Sequence, residues 1–298
     1  MRRFIASCVA GLLTIACTGD PSPEDVSPTS SDRASVAPDE GYGPARLAGR
    51  MTNPDITESS GLAASASRPG TFWTHNDSGE RPVIFCLRAD GGSCGVVNIS
   101  SAGIFDWEDM ARGPGPAPGV DHLYIGDIGD NAHVRDSIVV YRIPEPRSTG
   151  VAEATEIVLT FPDGPHDAET LMAHPHTGDL YVISKGDAPV VYVARAPLSS
   201  RMVLEVAGKA PSPGFLPGPT GGDISPDGSR VVLSLYTGAQ ELVLPPGARF
   251  DSIWKQEPMD ISLPAVAQRE AIAYALDGRS IISTSEGPGG PVHRVSRR

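Results

Sequence analysis

The chain has 298 residues, with 36 acidic and 24 basic side chains and a net charge of −12 when histidine is neutral. A chain of that sign lacks the clustered Lys and Arg that phosphate neutralisation requires, which excludes nucleic acid as a partner. No stretch beyond the N-terminus carries a long amphipathic helical period, so alternating strands and helices are excluded and an all-β organisation is expected.

Residues 1–16, MRRFIASCVAGLLTIA, pair a short basic start with an apolar run too short to span a bilayer, the layout of a secretory signal peptide. Export is predicted, and loss of Arg2 and Arg3 leaves 22 basic against 36 acidic residues, or −14. Cys17, in LLTIAC, resembles the lipobox of bacterial lipoproteins, where the cysteine is lipid-modified and begins the mature chain. The resemblance implies a cell-envelope lipoprotein held to a membrane through Cys17, or a secreted protein if Cys17 is not lipidated. Residues 17–44 are rich in Pro, Ser, Asp and Glu and nearly devoid of large apolar side chains, so they are expected to form a disordered tether.

From 45 to 298 one plan recurs: an acidic residue, a short apolar stretch, a Gly-bearing turn and a β-rich run ending in polar residues. The acidic starts are Glu58, Glu108, Glu169, Asp223 and Glu270, separated by 50, 61, 54 and 47 residues, spacings that fit propeller blades. The turns lie in RPGTFW, PGVDHLYI, HTGDLYVI, PDGSRVVL and DGRSII, where Gly supplies the positive φ of a hairpin between first and second strands. Third strands follow as PVIFCLRA, SIVVYRIPE, VVYVARAP, AQELVLPP and PVHRVSRR, and outer strands as GVVNIS, ATEIVLTF, MVLEVAG and a segment near IWKQEPMDISL. The last blade stops after its third strand, so ARLAGRMT near residue 45 is expected to complete it and close the ring. The fold predicted is a five-bladed β-propeller, monomeric, with six blades as the alternative should residues 211–264 hide one. Cys86 and Cys94 flank a tight LRADGGS hairpin and are predicted to form a disulfide in an exported protein.

First strands line the channel of a propeller, so acids at their starts converge on its axis. Like charges a few ångströms apart repel by roughly several kcal/mol, and the chain answers by protonation, by separation or by binding a cation. Calcium suits such a site because it accepts about six to eight oxygen ligands in flexible geometry. Glu58, Glu108, Glu169, Asp223 and Glu270 are therefore candidate metal ligands; the competing reading has each acid bond the backbone of the next blade. Asp106, Asp109 and Asp167 sit beside them, able to extend or compensate the set. At the ends of second strands stand His75, Asn76, Asp77, Asp127, Asp130, Lys185, Tyr236 and Glu286, placed to line the channel mouth. Among these Asp77, Asp127 and Asp130 are candidates for a catalytic base, with a local turn role as the alternative. The nucleophile elbow, the phosphate loop and the dinucleotide fingerprint are all missing.

The motifs ESSGL, THNDSG, DWEDMA, GDIGDN, YRIPEP, DAETLMAHPHTGDLYVISK and GGDISPDG together resemble a group of bacterial secreted or lipid-anchored propellers without assigned activity. SPDG at 225–228 is similar to turns of TolB-type propeller repeats. More distantly, a polar residue on each inner strand of a five-bladed ring resembles calcium-activated nucleotidases and esterase-like phytase propellers, which would place Glu58, Glu108, Glu169, Asp223 and Glu270 around an ion. The function expected is a lipid-anchored extracytoplasmic module with a divalent cation, calcium, in its channel and a small molecule or protein bound at its mouth. The alternative is a calcium-dependent hydrolase of phosphate or other esters.

Overall fold

The computed structural model describes residues 41–77, 81–212 and 218–298. The expected signal peptide and Cys17, with the tether up to residue 40, lie outside the described residues.

Five sheets form a ring. Blade I runs from the channel outward as β2 (Ser59–Ala64), β3 (Thr71–Asn76), β4 (Val83–Arg88) and β5 (Ser93–Ser100). Blade II holds β6 (Trp107–Pro114), β7 (Asp121–Asp127), β8 (Ile138–Pro144) and β10 (Thr155–Thr160). Blade III holds β11 (Ala168–Ala173), β12 (Leu180–Ser184), β13 (Val190–Ala194) and β15 (Glu205–Lys209). Blade IV holds β16 (Gly221–Ile224), β17 (Arg230–Leu235), β18 (Gly238–Val243) and β19 (Met259–Ile261). Blade V holds β20 (Arg269–Tyr274), β21 (Ser280–Ser285), β22 (Pro291–Ser296) and, at its outer edge, β1 (Arg46–Arg50). The ring thus has five blades rather than six, and the N-terminal strand closes it against β22 in antiparallel register.

The turn glycines behave as their sequence context requires. Gly70, Gly119, Gly178, Gly228 and Gly278 each occupy positive φ, between +61° and +82°, in the hairpin joining a blade's first and second strands. First and second strands are almost wholly buried, and the core divides into apolar clusters sandwiched between neighbouring blades. Cys86 and Cys94 are joined across the β4–β5 hairpin, with Cα atoms 4.9 Å apart.

Two short strands escape the repeat. The chain leaving β8 forms β9 (Gly150–Glu153), parallel to β5 on the outer edge of blade I, before returning to its own blade as β10. The MVLEVAG segment splits likewise into β14 (Arg201–Val203), parallel to β10 on blade II, and β15 on blade III. In blade IV the same connection is a 3-10 helix, Phe250–Lys255, whose Trp254 packs over Gly208 of β15. Each insertion covers the open edge of the preceding blade, which would otherwise offer unpaired backbone groups to another chain.

Closure also reaches into residues 41–44, assigned to the tether by composition. Gly43 N–H donates to Ser296 at 2.9 Å, and the Tyr42 hydroxyl donates to Glu241 at 2.6 Å.

Candidate functional site: an acid-lined channel mouth

Strand register fixes which inner-strand residues are equivalent. Ser59, Trp107, Ala168 and Arg269 pair with Asn76, Asp127, Ser184 and Ser285 at the last positions of the second strands, and each first strand then shifts register at a bulge. Glu108, Glu169 and Glu270 directly follow these residues and share one position. In blade I that position is Ser60, whose hydroxyl donates to the Glu108 carbonyl. Glu58 lies two residues earlier, level with Asp106 and Asp167. The repeat of acids seen in sequence therefore resolves into two tiers rather than one, with Asp223, paired with Val232 deeper along β16, in neither.

Asp77, Asp106 and Glu108 come together at the junction of blades I and II. Each offers a carboxylate oxygen, and the three atoms lie within 4.8 Å of one another. Backbone bonds position them: Asp77 N–H donates to Glu58 at 3.0 Å, Trp107 N–H to Asp77 at 3.2 Å, and Ile128 and Gly129 N–H to Asp106 at 3.1 and 3.2 Å. Asp77 Oδ1 is buried with no hydrogen-bond partner among the described residues. Gly129, in the GDIGDN loop, lies against the cluster, where a Cβ would overlap Asp106 Oδ2 and Glu108 Oε1.

The acids continue around the mouth. Glu108 is hydrogen-bonded to Glu169, which pairs with Lys185, and Lys185 Nζ is 3.7 Å from Asp167. Glu270 is hydrogen-bonded to Glu286. Burial, reinforced by Asp106 and Glu58, pushes the Asp77 carboxyl up to about 7. Burial with Glu169 and Asp77 pushes Glu108 up to about 11, and burial with Glu286 pushes Glu270 up to about 8. Asp106 is raised by burial and by Asp167 and Asp127. Tyr236 is pushed up to about 12 by burial and by Glu169 and Glu270. Burial opposes the Lys185 charge, but Glu169 and Asp167 outweigh it and hold its ammonium above the usual range. The common cause is a surplus of carboxylates in a partly dehydrated space with one lysine among them.

The remaining candidates are placed differently. His75 is fully buried between blades I and II, edge-on to Trp107 at 5.4 Å, and burial lowers it to about 4, so it is neutral. Asn76 uses its side chain on the loop entering β2, accepting from Thr57 and Glu58 N–H at 3.0 and 3.1 Å and donating to Asp55 at 2.9 Å. Asp127 does the same in blade II, accepting from Phe105 and Asp106 N–H at 2.9 and 3.3 Å, and is paired with Arg135 at 2.8 Å. Asp130 caps Val134 and Arg135 N–H at 3.0 and 2.8 Å. Asp223 spends its carboxylate on the N–H groups of Ile224 and, in the next blade, Tyr274, at 2.8 and 2.9 Å. Asp109, fully buried, accepts from Met110, Leu171 and Gly222 N–H at 2.7, 3.1 and 3.1 Å and so ties blades II, III and IV together beneath the mouth. Burial raises its carboxyl against the pull of those three donors. Inter-blade bonding thus describes Asp223 and Asp109, while Asp77, Asp106 and Glu108 meet in the carboxylate cluster, with Glu169 bonded to Glu108 and Glu270 to Glu286 further around the mouth. Asp106 and Gly129 were legible only as members of the DWED and GDIGDN motifs; their convergence needs the loop between β7 and β8 to fold back.

No protein-family model matches the chain, and no curated protein matches it in sequence. Among solved structures it is similar to a gluconolactonase from Xanthomonas campestris, with 13% identity over 88% of this chain and 99% of that one and a TM-score of 0.47. It is also similar to a chain of a nidogen/laminin complex, with 14% identity over 77% and 73% of the two chains and a TM-score of 0.44. A third likeness is to the Dos1 propeller, with 10% identity over 80% and 68% and a TM-score of 0.40.

Proposed function

We propose that the channel mouth binds one calcium ion through Asp77, Asp106 and Glu108, and that the ion-bearing mouth makes this chain a ligand- or protein-binding module exported to the cell envelope and anchored through Cys17. The observation that carries the reading is the convergence of three carboxylates from two blades within 4.8 Å, one of whose buried oxygens has no partner among the described residues. A hard divalent cation converts their mutual repulsion into attraction, and oxygen-only ligation favours calcium over softer metals. Glu169 is less available, because Lys185 neutralises it.

The test is elemental analysis of the purified protein, followed by thermal unfolding with calcium and with chelator. Stoichiometric calcium whose removal lowers the melting temperature supports the site; absence of metal together with no calcium-induced shift refutes it.

A second reading, calcium-dependent hydrolysis of phosphate or other esters, draws on Glu270, which burial and Glu286 push up to about 8, so that it is able to serve as a general acid at the same channel mouth. Calcium-dependent release of nitrophenol from p-nitrophenyl phosphate or acetate, lost in Glu270→Gln with calcium binding intact, supports hydrolysis; no turnover leaves the binding module.

A further inference from the structure

On the face of the ring remote from the acids, blades II and III part around a cleft of about 500 Å³. Pro114, Tyr124 and Arg142 line one wall, and His176, Pro197 and Leu198 the other. The volume lies in the roughly 300–1,000 Å³ range of small-molecule pockets. Arg142 is the one Lys, Arg, Asp or Glu in the lining. It stands opposite Tyr124 in the β7–β8 register, so both project from the same face of blade II. The Tyr124 hydroxyl donates to the Pro114 carbonyl at 2.6 Å and accepts from the Arg142 guanidinium, which fixes the arginine in the wall. Arg112 and Arg195 are matched by acids, Asp121 and Asp179 at 2.8 and 3.1 Å, whereas Arg142 makes no ion pair among the described residues. Arg142 is thus a positive charge in the cleft wall with no carboxylate of the described residues upon it, and a guanidinium so placed offers its fork to an anion.

We propose that this cleft binds a small monocarboxylate with an apolar body. The carboxylate sits on Arg142, and the body lies against Pro114, Pro197 and Leu198. A planar carboxylate matches the fork of an arginine, and the proline and leucine side chains give an apolar body a contact that phosphate cannot use. The His176 ring, at the cleft's rim, offers one further polar contact. The site is independent of the cation at the opposite end.

The test is an amide chemical-shift titration of the whole chain with three probes: benzoate, benzyl alcohol and inorganic phosphate. Benzoate is expected to saturate and to shift Gly115, Thr177 and Gly178, while the other two do not saturate over the same range. Arg142→Met weakens benzoate about tenfold or more, and Arg142→Lys retains part of the affinity. Leu198→Trp, which fills the cleft and keeps the guanidinium, abolishes saturation, so the outcome does not hang on one variant's folding. Calcium binding is unchanged in all three variants. Benzoate shifts scattered over surface cations, an equal response to phosphate, or affinity indifferent to both Arg142→Met and Leu198→Trp overturns the proposal.

Discussion

Replacing Glu241 by Gln tests how the ring is fastened. Glu241 is fully buried in β18 of blade IV, and its Oε1 accepts from the Tyr42 and Tyr274 hydroxyls at 2.6 and 2.7 Å. Arg297 Nη2 stands 3.3 Å from Oε2 in an ion pair, its side chain 12% exposed. One carboxylate thus gathers the chain before β1, the chain after β22 and the first strand of blade V. Gln keeps one acceptor but loses the charge that strengthens both hydroxyl bonds and balances Arg297. Hydrogen bonds to a charged group contribute about 1.5–3 kcal/mol each, roughly twice a neutral one, and breaking a buried pair costs about 3–5 kcal/mol. A destabilisation of about 3 kcal/mol is expected, which in a domain of this size lowers the melting temperature by about 6–12 °C. Urea unfolding measures the free energy. Limited trypsinolysis at Arg46 and Arg50 reports whether the closing strand is released, and cleavage there is expected to rise in step. Tyr274→Phe added to Glu241→Gln should cost less than Tyr274→Phe alone, since the two share one bond. A loss under about 1 kcal/mol, or unchanged cleavage at both arginines, refutes the latch.

Without metal, the mouth carboxyls make stability fall as pH rises. Asp77, Glu270 and Glu108, raised to about 7, 8 and 11, bind protons more tightly folded than unfolded, so their contribution is complete near pH 4 and is lost as pH climbs through those values, at about 1.4 kcal/mol per pH unit for each proton. Unfolding in chelator should therefore show greater stability at pH 5 than at pH 8, with calcium restoring the loss at pH 8; a stability that rises from pH 5 to 8 in chelator contradicts the electrostatics. Gly129→Ala places a methyl group against Asp106 and Glu108 and should weaken calcium about tenfold or more, read by calorimetry, while changing the melting temperature by only a few degrees. Unchanged affinity would remove those two carboxylates from the site. Replacing Cys86 and Cys94 together by Ser opens a bridge spanning 8 residues and should cost about 2.5 kcal/mol, the difference disappearing when both proteins are unfolded in reductant.

Hairpin turns are local, which is why they could be located without coordinates. A glycine bounded by β-branched and aromatic runs specifies its own turn whatever the rest of the chain does, and the five positive-φ glycines stand where those motifs put them. The closing strand was legible for a similar reason, since a blade that ends one strand short leaves an edge that the other terminus must cover. The strand exchanges at β9 and β14 were not legible. Each three- or four-residue segment lacks a pattern of its own and is a strand only because a neighbouring blade presents an open edge.

The site divides along the same line. Composition and repeat placed Glu108, Glu169 and Glu270 in the channel, because side chains at one position of a repeated blade share a radius from the axis. Whether an acid two residues away is equivalent depends on bulges between Ser59 and Leu62 and between Trp107 and Met110, which arise in the pairing of strands. That register set Glu58 level with Asp106, turned Asn76 and Asp127 into braces for the loops entering first strands, and committed Asp223 and Asp109 to neighbouring backbones. The sequence by itself determined the repeat of the blades, their order and the surplus of carboxylate at the axis, all properties of short segments and their repetition, and it left the choice between five and six blades to the fold. Only the tertiary structure decided which carboxylates meet, which are pushed toward the protonated form and that no acid among the described residues pairs with Arg142, because burial and pairing across blades exist only once the ring has closed.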